Sequence, residues 1–220
     1  MIKCILFDLD GTLINTLEDL ADATNYAITK RGYRPREPEE FKMFAGSGAE
    51  VMIRMAMDSP ELSQQEMSCI YYDYLEFYRQ HYIDKTAAYD GLNELISVLK
   101  SKELKLAVVT NKVEEMAIVI LNKLFPGSFD CIFGQREGVP AKPDPTAATL
   151  VMNELNVKPG ECIFLGDSGI DILTAVNSGA CPVGVTWGFR QRAELLENGA
   201  RHIIDAPDEL YTIINEINNG

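Results

Sequence analysis

The chain has 220 residues, 46% hydrophobic and 24% charged, with 16 glycines and 10 prolines, a globular composition that excludes a disordered, collagenous or purely coiled-coil chain. Its 33 acidic and 20 basic residues give a net charge of −13, which on average repels phosphate backbones and anionic lipid, so nucleic acid and membrane surfaces are poor partners. A small anionic substrate is not excluded, because a bound cation can make one site electropositive inside an acidic protein.

The chain opens MIKCILFDLD, with carboxylates where a signal peptide needs a cleavable small-residue site. No apolar stretch approaches the ~20 residues of a spanning helix. A cytoplasmic protein is expected. The first apolar run, Ile5 to Phe7, ends at Asp8, and Asp8-Leu9-Asp10-Gly11-Thr12-Leu13 follows. About ninety residues then intervene before the next run, far more than the dozen or so a crossover needs. Much of this interval has helical spacing. Leu17, Leu20, Ala21, Thr24, Ala27 and Ile28 share a face, with Thr16 read as the N-cap and Gly32 as the stop. Phe44-Ala45-Gly46-Ser47-Gly48 interrupts the pattern as a loop, and Arg54 follows it. Ser63 to Glu66 reads as a capping box opening a helix through Met67, Ile70, Tyr71, Tyr74, Leu75, Tyr78 and Tyr82, a stripe read as helix-to-helix packing. A helical insert over residues 16–85 is therefore expected, dividing a core made of 1–15 and 86–220.

Beyond the insert, apolar runs recur at Leu106 to Val109, Cys131 to Phe133, Ile163 to Leu165 and Val183 to Thr186. Helix-period segments near 113–124, 144–155, 169–178 and 190–198 separate or follow them. Near-continuous apolar strands alternating with helices predict an α/β, doubly wound parallel sheet covered on both faces. Of the five cysteines, Cys4, Cys131, Cys162 and Cys181 lie in or beside these runs, where cysteine serves as a small hydrophobe. There is no CxxC and no Cys/His cluster, so neither zinc nor a disulfide framework is indicated. His81 and His202 show no spacing that links them to a site.

Open α/β sheets bind ligands beyond the carboxyl ends of their strands. Read there, the first run presents Asp8 and Asp10, a pair that alone is equally a solvated strand end. The second presents Thr110-Asn111-Lys112, which can hold a phosphate or simply cap a helix. After the third comes Ala141-Lys142-Pro143-Asp144-Pro145, whose prolines on either side of Asp144 fix the backbone and can hold Lys142 at a set place, although alone the stretch reads as an exposed lysine. After the fourth comes Gly166-Asp167-Ser168-Gly169-Ile170-Asp171, where Asp167 and Asp171 sit one helical turn apart, suited to a hard cation or to capping.

Together, in this order, the stretches DLDGTL, VVTNK, AKPDP and LGDSGID resemble the four motifs of the haloacid dehalogenase (HAD) superfamily. The resemblance spans the core, and the insert lies where that family carries its type C1 helical cap. It implies a Rossmann-like HAD core and looks most similar to the phosphoglycolate phosphatase group. One position departs: Asn15-Thr16 stands where relatives have Asp followed by Ser or Thr. That weakens the subgroup and leaves the chemistry untouched.

By the same resemblance Asp8 would be the nucleophile that forms a phosphoaspartate, and Asp10 the general acid and then base. The pair then needs opposite protonation states, with a metal on Asp8 and a drier setting for Asp10. Mg2+ would be held by the Asp8 side chain, the Asp10 carbonyl and Asp167, with Asp171 as an orienting or water-mediated ligand. Lys142 would offset the repulsion between carboxylate and phosphate, which is ~4 kcal/mol for unit charges 4 Å apart at an effective dielectric of 20. Thr110 and the N–H groups of Leu9, Asp10 and Asn111 would hold the equatorial oxygens. Lys112, Gly46, Ser47 and Arg54 are the candidates for reading the leaving group. The expected partner is a small phosphorylated metabolite such as 2-phosphoglycolate. A pyrophosphatase, a β-phosphoglucomutase-like phosphotransferase and a non-catalytic phosphate-binding module are the alternatives, and oligomeric state is unread.

Overall fold

The computed structural model describes residues 1–58 and 62–219. The core strands are β1 (Cys4–Phe7), the short β2 (Ile14–Asn15) and β3 (Ala87–Ala88), then β4 (Lys105–Val113), β5 (Cys131–Gln135), β6 (Cys162–Gly166), β7 (Cys181–Val185) and β8 (His202–Ile204). The insert carries α1 (Leu17–Thr29), α2 (Phe41–Phe44), α3 (Ala49–Met57) and α4 (Gln64–His81). The remaining helices are α5 (Leu92–Ser101), α6 (Glu114–Leu124), α7 (Thr146–Glu154), α8 (Gly169–Ser178), α9 (Arg192–Glu197) and α10 (Leu210–Asn219).

Six strands form one parallel sheet in the order β5-β4-β1-β6-β7-β8. Side chains alternate across each strand, so β1 sends Ile5 and Phe7 to one face and Cys4 and Leu6 to the other. The first pair packs under Leu92, Leu95 and Ile96 of α5, Ile120 of α6 and Ile214 of α10. The second packs under Ala148 and Val151 of α7 and Ala175 of α8. Every one of these β1 side chains is fully buried, each worth roughly 1.5–3 kcal/mol if it were a large aliphatic or phenyl group. That two-sided burial is why the strand lacks polar alternation. The chain leaves β1 for β4 on one side and later returns to β6 on the other, so the sheet reverses its order of addition at the end of β1. Ligands bind at such a switch point.

The insert has its own apolar cluster, joined from the core by Met116 and Phe189. Two antiparallel residue pairs between β2 and β3 close its base. Asp19 of α1 fastens the same place, accepting the N–H groups of Lys85 and Thr86 and the Thr86 hydroxyl at 2.7–3.2 Å. The Ser63 capping box forms as read, and the stripe that follows buries Met67, Ile70, Tyr74 and Tyr78. One local reading changes. Thr16 precedes α1 but makes no side-chain cap bond, because its hydroxyl donates to Asp10 at 2.7 Å. Gly32 ends α1 as read: at φ +80° it donates its N–H to the Thr29 carbonyl at 3.0 Å, while the Tyr33 N–H reaches the Ile28 carbonyl at 3.3 Å. The strands β2, β3 and β8 and the helices α2, α3, α5 and α10 lie outside the individual elements expected from the spacing. Among the described residues no helix is long and apolar enough to cross a membrane.

Candidate active site

Four loops at the carboxyl edge of the sheet bring the charged residues together. Asp8 follows β1 and is tied by its N–H to the Leu165 carbonyl of β6, 2.9 Å away. Its Oδ1 accepts from Lys142 Nζ at 2.6 Å, and Lys142 donates equally to Asp171 Oδ1 at 2.6 Å. Asp171 Oδ2 accepts from the Ser168 N–H and hydroxyl, so one oxygen caps α8 while the other meets the lysine. The capping meaning of the Asp171 spacing is realised, and its other oxygen pairs with the lysine. Asp167 receives the Thr12 hydroxyl on Oδ1 at 3.1 Å and the Phe189 N–H on Oδ2 at 2.8 Å. Gly11 permits this closeness. It has φ +92°, and a Cβ there would lie 2.4 Å from Asp167 Oδ2.

The electrostatics follow from burial. Asp8, Asp167, Asp171 and Lys142 are each at most 5% exposed. Removal from water, then the neighbouring Asp171, push the Asp8 carboxyl up to about 7, with Lys142 pulling the other way. Burial and the same neighbours raise Asp167 well above the usual carboxylate range, against the Phe189 and Thr12 donors. For Lys142 burial alone would lower the value, but Asp171 and Asp8 outweigh it and hold the ammonium charged. Asp8, Asp167 and Asp171 each offer an oxygen within 4.8 Å of the others. Three crowded carboxylates with one lysine leave an excess of negative charge that a divalent cation would neutralise. The all-oxygen donor set suits a hard ion. The residues therefore fit a metal.

Asp10 stands apart from this cluster. Lys112 Nζ lies 2.9 and 3.1 Å from its two oxygens and 4.9 Å from the Tyr78 ring centroid. The drier setting expected for Asp10 belongs instead to Asp8: their side chains are 13% and 8% exposed. The reason is position, since Asp10 has left the strand and faces the cleft. Neither Leu9 nor Asp10 donates its N–H to another group among the described residues. These two donors sit beside Asp8, in place to meet an anion.

The Thr110-Asn111-Lys112 stretch is strand, not helix cap. β4 runs on to Val113 through an irregularity after Val109. Thr110 faces the cleft, and its hydroxyl accepts the Lys112 N–H at 3.2 Å. Asn111 does more than its backbone was expected to do. Its amide receives the Lys142 N–H at 2.8 Å and donates to the Lys142 carbonyl at 3.2 Å, which fixes the lysine's backbone. The same amide donates to the Gly46 carbonyl of the insert at 3.0 Å.

The cleft runs between these loops and the insert. Asp8, Asp10, Thr110, Asn111 and Lys112 form one wall, and Leu20, Ala45, Gly46, Gly48, Met52, Tyr74, Leu75 and Tyr78 form the other. Of the leaving-group candidates, Lys112 and Gly46 line it and Ser47 and Arg54 do not. Arg54 pairs with Glu50 at 3.0 Å and reaches the Leu62 carbonyl. Four contributors lie outside the expected set: the Thr12 hydroxyl, the Phe189 N–H, Tyr74 and Tyr78. Phe189 was within reach of the same strand-end rule, applied to the run that ends at Thr186. The tyrosines do pack as a stripe, and the stripe also faces the cleft.

A parallel sheet with a helical insert after its first strand, and a carboxylate and lysine cluster at the switch point, defines a capped, doubly wound α/β protein with its charged site at the carboxyl edge of the sheet. The chain belongs to the haloacid dehalogenase-like hydrolases, whose family model matches residues 5–185. A phosphoglycolate phosphatase of Haemophilus influenzae is 31% identical over 223 residues, covering 96% of this chain and 98% of its own. One from Pseudomonas fluorescens is 30% identical over 208 residues, covering 92% and 76%. A crystal structure from Lactobacillus delbrueckii subsp. bulgaricus, provisionally assigned as a phosphoglycolate phosphatase, superposes with a TM-score of 0.89 at 34% identity, covering 96% of this chain and 98% of that one.

Proposed function

We propose that the protein is a Mg2+-dependent phosphomonoesterase acting on a small metabolite, with 2-phosphoglycolate as the leading substrate. In this reading residues 1–15 and 86–220 are the catalytic core and 16–85 the cap. The observation that carries it is the placement of Asp8. One of its oxygens is held by Lys142 and the other has no hydrogen-bond partner among the described residues. Asp8 lines the cleft and is followed in the chain by Leu9 and Asp10, whose N–H groups have no acceptor among the described residues.

In the proposed reaction the free Asp8 oxygen attacks phosphorus in line and the ester oxygen departs, leaving an acyl phosphate on Asp8. Asp10 gives its proton to the departing oxygen, then takes one from the water that hydrolyses the acyl phosphate. The Leu9 and Asp10 N–H groups, Thr110 and Lys142 meet the equatorial oxygens, where charge shifts during transfer. Asp8, Asp167 and the Asp10 carbonyl would hold Mg2+, with Asp171 behind them, and the ion would supply the remaining positive charge.

The insert wall supports a monoester with a small leaving group. Among the described residues it contributes no charged side chain to the cleft. Among the described residues the one cation that lines the cleft is Lys112, engaged with Asp10. When Asp10 carries the proton it must donate, Lys112 is released to meet a single negative charge, such as the carboxylate of 2-phosphoglycolate. A second phosphate would bring more charge than this wall answers.

Phosphate release should be measured with Mg2+ across 2-phosphoglycolate, pyrophosphate and β-glucose 1-phosphate. The expected result is the highest kcat/KM for 2-phosphoglycolate, loss of turnover in EDTA, and an inactive but folded Asp8→Asn variant. Isomer formation without phosphate release, or an active Asp8→Asn, would overturn the proposal.

A further inference from the structure

The loop between β7 and α9 reaches in two directions. On one side Gly188 packs so tightly on Asp167 that a Cβ there would come within 2.3 Å of the aspartate's Cβ, and the next residue donates its N–H to Asp167 Oδ2 at 2.8 Å. On the other side Phe189 is buried in the insert's apolar cluster. The residue after it, Arg190, crosses to the insert as well. Its guanidinium donates to the carbonyls of Lys42, of Met43 at 3.0 Å and of Ala45 at 3.1 Å.

Those three carbonyls end α2. A helix of four residues cannot satisfy its own last carbonyls, so they need donors from elsewhere. A planar, permanently charged fork with several N–H groups meets three diverging acceptors in a way that a lysine cannot. The guanidinium is braced from the core by Glu194 Oε1, 3.5 Å from its Nε, and the same oxygen accepts the Gly169 N–H at the start of α8. With the side chain only 11% exposed, the contact is largely shielded from water. Immediately after Ala45, the Gly46 carbonyl takes the Asn111 amide, and Ala45, Gly46 and Gly48 line the cleft.

We propose that Arg190 is a positioning residue that seats the insert's loop 45–48 over the phosphate end of the cleft and so sets how well the enzyme discriminates leaving groups. Arg190 does not line the cleft and touches no group assigned to the chemistry. It acts through the backbone that Asn111 holds at the next residue, Gly46. Core and insert are thus joined at the start of this loop by two side chains, on consecutive residues. The inference rests on the phosphatase reading for its kinetic consequence, but its structural part stands without it.

The test compares wild type, Arg190→Ala and Arg190→Lys by amide hydrogen exchange over residues 41–48 in the free protein, and by kinetics on 2-phosphoglycolate and on p-nitrophenyl phosphate. Exchange in that segment should rise at least ~10-fold in Arg190→Ala, with the core strands unchanged. The ratio of kcat/KM for 2-phosphoglycolate to that for p-nitrophenyl phosphate should fall roughly 10-fold or more, since discrimination is lost when the reading surface is loosened. Arg190→Lys, with one donor head in place of a fork, should recover part of both effects, and it carries the test if the alanine variant fails to fold. Unchanged exchange at 41–48, or an equal loss on both substrates, would overturn the inference. If wild type hydrolyses neither compound, the phosphatase reading fails, and the exchange result alone decides the role of Arg190.

Discussion

The two walls of the cleft offer a ligand different things. The core wall is polar and fixed: Asp8 and its partners stand at the ends of buried strands, held by hydrogen bonds from three other loops. The insert wall is made of Leu20, Met52, Leu75, two tyrosines and a glycine-containing loop. Reaction chemistry needs charges at set distances, which a sheet edge provides. Selection among leaving groups needs shape, which packed helices and a loop can vary without disturbing the charges. The contrast explains why the core wall matches the expected residues closely, whereas Ser47 and Arg54 do not reach the cleft.

The contrast is open to test on both sides. The largest effect should come from the core wall. Lys142→Met leaves Asp8 and Asp171 without their shared cation, and kcat should fall by about 10^3-fold, the size seen when an electrostatic donor to a transition state is removed. A loss of less than about tenfold would show that Lys142 is not needed in the transition state.

A smaller effect concerns stability in the metal-free protein. The Asp8 carboxyl rises from an ordinary 3.8 to about 7 on folding. A carboxyl raised in the folded state favours folding fully below its unfolded value and loses that contribution as pH climbs through the folded one. Between pH 5.5 and pH 8 the loss is about 2 kcal/mol, or about 5 °C in Tm for a chain of this size. Asp167 acts in the same direction. Thermal melts in EDTA should show the drop, and Mg2+ or Asp8→Asn should reduce it. A pH response identical in wild type and Asp8→Asn would mean that Asp8 is not under this pressure.

The smallest effect lies on the insert wall. Tyr78 Oη is buried and has no hydrogen-bond partner among the described residues. Burying a hydroxyl without a partner is unfavourable, so Tyr78→Phe should stabilise the protein by about 1 kcal/mol in urea titration while keeping the ring beneath Lys112. Destabilisation would show that the hydroxyl is paired in solution.

How much could be read in advance divides along the same line. β1, β4 and β6 are legible as apolar runs because both of their faces are covered, and the residues beyond them are placed by the sheet itself. The α5 helix carries a helical signal in the spacing of Leu92, Leu95, Ile96 and Leu99. β8 has three residues and α2 four, too few for any period to show. Site contacts made by main chain or across long sequence separations leave no local trace. The Phe189 N–H on Asp167, the Asn111 amide around Lys142 and the Arg190 fork on α2 are of this kind. Thr16 shows the same limit in reverse: its local pattern reads as a helix cap, but Asp10 is a better acceptor nearby.

The central claim is that the Asp8 side chain accepts the phosphoryl group. Rapid-quench mass spectrometry of the enzyme turning over 2-phosphoglycolate with Mg2+ tests it most directly. The account predicts one added phosphoryl group on the peptide that carries Asp8, appearing before steady state and absent in Asp8→Asn. Turnover at full rate with no phosphorylated peptide, or with the label on another residue, would contradict it.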